Sequence, residues 1–82
     1  MRSLVSCQPV AAASDYRVVL GATIRKERVR LRLTQEVLAE RAELHPNYCV
    51  RVERGEERVS LEALRRIAKA LGVRVRDLVV NI

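Results

Sequence analysis

Arginine supplies most of the side chains here that can do chemistry: fourteen of the sixteen cations are Arg, set against ten Asp and Glu. A guanidinium is a planar, permanently charged fork, suited to paired hydrogen bonds with phosphate or with a guanine edge. Other reactive groups are sparse. His45 is the only histidine, and no nucleophile or acid is arranged beside it to make a catalytic centre. Cys7 and Cys49 are too few for a disulfide framework or a zinc site, and Cys49 reads as a small hydrophobe in a helical pattern. The residues therefore point to no enzyme, no metal and no cofactor. A net charge of +6 and a pI near 10.4 attract polyanions, with DNA or RNA first among them. An Arg-rich surface also arises from genome composition, so charge alone leaves the partner open.

The elements that must carry these groups form one domain, since 82 residues leave no room for a second. Hydrophobic residues make up 49% of the chain, yet there is no Trp or Phe and only Tyr16 and Tyr48. A core of Leu, Val, Ile and Ala suits short, close-packed helices. No apolar run approaches the roughly 18 residues of a membrane span, and no signal peptide is read at the N-terminus. A reducing cytoplasm is the expected compartment.

Residues 1–13 show no sustained period and read as a flexible N-terminal leader, and the folded unit is expected over residues 14–82. Ser14-Asp15 offers a cap for a helix from about Tyr16, with Leu20, Ile24 and Leu31 on one face. The stretch Arg28 to Leu33 alternates with period two and passes equally for a strand. Thr34 can cap a helix from Gln35 to about Arg41. His45-Pro46 opens the next one, with Pro46 at the favoured first position, and Gly55 stops it. Ser60 caps a fourth helix whose inner face is Leu61, Leu64, Ile67, Ala68 and Leu71, ending at Gly72. Val75 to Val80 reads as a fifth helix, with an edge strand as the alternative.

Five motifs then occur in order: Leu20-Gly21-x-x-Ile24-Arg25-x-x-Arg28, Leu33-Thr34-Gln35-Glu36-x-Leu38-Ala39, Leu44-His45-x-x-Tyr48, Glu53-Arg54-Gly55, and Ser60-Leu61 through Gly72-Val73. Together they resemble the Cro and phage-repressor type of helix-turn-helix protein, from about Leu20 to Leu78. The short length and the Leu-His-x-x-Tyr opening are similar to restriction–modification controller proteins. The resemblance implies an all-α, compact five-helix, lambda-repressor-like domain. It implies a sequence-specific regulator of transcription that binds a pseudo-palindromic site in double-stranded DNA, with residues 46–54 in the major groove.

Carried over position by position, the resemblance assigns base contacts to Pro46, Asn47 and Arg51, and a phosphate contact to Gln35. His45 reads as a cap or a phosphate donor, Tyr48 as a phosphate contact or a ring packed on the domain surface, and Arg58 as the loop cation left to grip a phosphate. Pro46 departs from the polar residue usual there and offers only apolar contact. Asn47 suits adenine and Arg51 suits guanine. Arg28 and Glu53 match a buried salt bridge between the first and third helices. Arg32 and Glu43 stand where glycine is usual in two turns, and Glu56-Glu57 where the loop often carries cations. One domain with so few base contacts is poorly specific, so a homodimer is expected. Its seam is placed at Leu78, Val79, Val80 and Ile82, which are more apolar than a solvated tail requires. The rival reading is an antitoxin-like module whose main task is to hold a protein partner.

Overall fold

The computed structural model describes the backbone of residues 10–80 and 82, and the side chains of residues 16–80 and 82. Five helices follow one another: α1 (Val10–Arg30), α2 (Gln35–Ala42), α3 (Pro46–Glu53), α4 (Leu61–Leu71) and α5 (Val75–Val79). Among the described residues there is no strand, so the domain is all-α as expected.

Three starts follow from side chains that replace missing helical acceptors. Thr34 Oγ1 accepts from Val37 N–H at 3.1 Å, His45 Nδ1 from Asn47 N–H at 3.1 Å, and Ser60 Oγ from Ala63 N–H at 3.1 Å. At α5 the Asp77 carboxylate accepts from Arg74 N–H at 3.0 Å, which holds the Val-rich segment helical. The ends of α1 to α4 share one closure, a left-handed residue followed by a bond back across the last turn. Leu33 N–H reaches Arg28 O, Leu44 N–H reaches Ala39 O, Glu56 N–H reaches Arg51 O and Val73 N–H reaches Ala68 O. The left-handed residues are Arg32, Glu43, Gly55 and Gly72. Leu33, Leu44 and Val73 then pack against the core, whereas Glu56 is exposed.

The core gathers Leu20 and Ile24 of α1, Leu38 and Ala42 of α2, Val52 of α3, Leu64, Ile67, Ala68 and Leu71 of α4, and Leu78 of α5. The fully buried Ala39 gives α2 its close approach to α3. Gly21 does the same for α1, because a Cβ there would collide with the carbonyls of Val52 and Glu53.

Four readings change. α1 begins at Val10, so Ser14 and Asp15 lie inside the helix and not at its start; the alanine run before them has the highest helix propensity available. The leader expected over residues 1–13 thus gives residues 10–13 to α1, and residues 1–9 lie outside the described residues. The ambiguous stretch is helix to Arg30 and then a turn. That turn carries Leu31 off the inner face, and Leu33 packs on the core in its place. Leu61 is 68% exposed, since α4 buries Ala63 and its inner arc is rotated away from the first residue.

Candidate nucleic-acid interface

The paired helices α2 and α3 are joined by Glu43, Leu44 and His45, with Glu43 left-handed at φ 59° and ψ 44°. α3 is fixed from behind by Cys49 and Val52, both buried. That burial turns Pro46, Asn47, Arg51 and Arg54 to solvent. Asn47 and Arg51 are one turn apart and project from the same face, as a helix read against a groove requires. Burial also pushes the Cys49 thiol above its ordinary range, in keeping with a small core hydrophobe.

A largely buried ion pair ties α3 to α1. Arg28 Nε donates to Glu53 Oε2 at 2.6 Å, Nη2 to Oε1 at 3.0 Å, and Nη1 to the Leu33 carbonyl at 2.7 Å. The two side chains are only 13% and 4% exposed. The hydrogen bonds to Glu53 hold the Arg28 guanidinium above its ordinary value, outweighing desolvation, which lowers it. The pairing expected from the resemblance is therefore present, and removing one partner would strand a buried charge.

The expected phosphate contacts are placed unevenly. Gln35 Nε2 donates inward to Glu53 Oε1 at 3.1 Å, so in the free chain this amide extends the ion-pair network. His45 is exposed, and because its Nδ1 accepts from Asn47 N–H, Nε2 is the nitrogen left to donate to an anion. Tyr48 is half-buried against the core, with Arg51 Cζ lying 5.9 Å from its ring centroid. Arg58 is exposed in the loop after α3.

Two cations that the sequence reading passed over, Arg25 and Arg54, line an open groove of about 460 Å³ with Arg28, Thr34, Gln35, Val50 and Glu53. The groove lies at the N-terminus of α2, where free N–H groups and the helix dipole favour an anion. Arg25 and Arg54 both stand inside the five sequence motifs, Arg25 three residues before Arg28 and Arg54 directly after Glu53. Arg51 itself is not free: its Nε donates to Glu57 Oε1 at 2.8 Å, a partner that no helical spacing announces.

The proposed seam divides. Leu78 is fully buried within the chain's own core and cannot face a second copy, because α5 uses it to close over α1 and α4. Val79 is half-buried, while Val80 and Ile82 are 72% and 53% exposed. Among the described residues no cluster of His, Cys, Asp and Glu could hold a metal ion, and no helix is long and apolar enough to cross a membrane.

Comparison with known proteins bears on this geometry. The helix-turn-helix family model matches residues 24–78. The control protein C.BamHI of Bacillus amyloliquefaciens is 38% identical over 66 residues, which cover 79% of this chain and 82% of that protein. The control protein C.SmaI of Serratia marcescens is 41% identical over 64 residues, covering 78% and 76%. The crystal structure of the restriction–modification controller protein C.AhdI from Aeromonas hydrophila superposes with a TM-score of 0.75 at 37% identity, over 76% of this chain and 94% of that one. This chain belongs to the helix-turn-helix family, in the company of its control proteins.

Proposed function

We propose that the chain is a transcription regulator, not an enzyme, that acts in the cytoplasm and binds operator DNA as a homodimer with α3 in the major groove. The observation that carries this reading is the outward face of α3. Asn47 and Arg51, which offer the two side-chain chemistries best matched to adenine and guanine edges, stand together on a helix locked from behind by Cys49 and Val52. The cationic groove at the α2 N-terminus supports it, since a helix in the major groove needs phosphate contacts alongside to set its register. In this role Gln35 would exchange its bond to Glu53 for a phosphate oxygen, with His45, Tyr48, Arg25, Arg54 and Arg58 around it. Pro46 would meet a base only through apolar contact. A two-fold pair would place half-site centres about 34–36 Å apart, with Val80 and Ile82 at the seam.

Selection of bound duplexes from a random pool tests the reading. Arg51→Ala should lose preference at one position of each half-site, about 1–3 kcal/mol of discrimination, while Gln35→Ala should weaken all sequences alike. Sites selected by Arg51→Ala that match those of the wild type would remove Arg51 from base reading.

A further inference from the structure

The loop after α3 sets a carboxylate against the recognition arginine. Gly55, left-handed at φ 76°, and the bonds from Gly55 N–H to Val52 O (3.0 Å) and from Glu56 N–H to Arg51 O (2.9 Å) fold the chain back along α3. Glu57 thereby returns beside the helix and accepts from Arg51 Nε at 2.8 Å. The bond is to Nε, the inner nitrogen. Among the described residues no protein acceptor takes Nη1 or Nη2. Arg51 keeps 48% of its side chain exposed, against 28% for Glu57, so the open part of the pair is the arginine's. The Tyr48 ring, 5.9 Å from Cζ, lies beside the guanidinium as a second restraint.

An exposed ion pair contributes little to folding, so its consequence falls on binding. Held by one edge, the guanidinium has less freedom to lose on docking, and its terminal fork stays available for guanine O6 and N7. The same carboxylate opposes the close approach of a phosphate to Arg51. Resting on the reading that Arg51 contacts a base, we propose that Glu57 is a specificity-determining positioning residue, which presents Arg51 to a guanine edge and withholds it from phosphate.

The test uses the full chain, the selected operator duplex, a duplex with adenine in place of the guanine facing Arg51, and a random duplex. Glu57→Ala should reduce the guanine preference about ten-fold. It should also bind the random duplex more tightly, with a salt dependence steeper by about one phosphate. In an Arg51→Ala background, Glu57→Ala should leave base preference unchanged. Glu57→Gln, which keeps an acceptor without the charge, should retain part of the preference, whereas a purely structural role would not follow that order. A uniform gain on all three duplexes would reduce Glu57 to simple repulsion and overturn the proposal, as would no change on any. Loss of preference in Arg51→Ala with none in Glu57→Ala overturns this proposal alone. Intact preference in Arg51→Ala overturns the base-reading assignment and the proposal with it.

Discussion

Arg32 and Glu43 each hold φ at 59°, in a region where a Cβ crowds the following carbonyl and glycine is the usual occupant. The family resemblance marks both positions as departures from glycine, and the dihedrals show what the departure costs. Arg32→Gly and Glu43→Gly should each raise stability by about 0.5–1 kcal/mol, the relieved strain being offset in part by the greater freedom of glycine when unfolded. Urea midpoints measure this, and a fall in either variant would mean that the side chain makes a contact worth more than the strain. At this scale the sequence was legible where exposure follows one helix's own spacing: Cys49 and Val52 fall on the buried side of α3, and Asn47 and Arg51 on the exposed side. It was illegible where two side chains meet through a loop. Glu57 reaches Arg51 only because Gly55 turns the chain back, and Gln35 reaches Glu53 only because α2 crosses α3; no period in the chain encodes either meeting.

Among the elements, the docking of α1 on α3 sets the angle at which the recognition face is presented. Gly21 permits that docking, since an added Cβ would lie 2.9 Å from the Glu53 carbonyl oxygen and closer still to that of Val52. Backbone cannot yield as a flexible side chain would. Gly21→Ala should therefore destabilise by about 1–3 kcal/mol, as overpacking does, and weaken DNA binding by displacing α3. Gly72→Ala is the control: nothing lies within 4 Å of its added Cβ, so only the strain of its left-handed φ of 72° remains. Thermal unfolding should rank Gly21→Ala as the more damaging, and equal losses would mean that α1 and α3 can separate at little cost. Capping chemistry made most helix boundaries readable, because Thr34, Ser60, Gly55 and Gly72 act through bonds local to the chain. The period-two stretch stayed open between helix and strand because alternation alone does not separate them; the chain resolves it as helix to Arg30, closed by the Leu33 N–H bond to Arg28 O.

For the whole molecule, Val80 and Ile82 are exposed while Leu78 is buried, so the proposed seam and the core draw on different C-terminal residues. Val80→Asp and Ile82→Asp should shift the protein toward monomer at unchanged helicity, whereas Leu78→Asp should unfold it by placing a charge in the core. Sedimentation beside circular dichroism distinguishes these outcomes, and an unaltered mass for both surface variants would move the seam elsewhere. The helix closures have another consequence. Three of the four set an apolar side chain on the core, but the one after α3 sets Glu56 in solvent, and none of residues 56–58 joins the hydrophobic core. Replacements there can accumulate at little cost to the fold. If that loop tunes how Arg51 meets DNA, then duplicated genes for such a protein can drift apart in the operators they answer to while their folds stay interchangeable, and a cell can keep several such circuits without cross-talk.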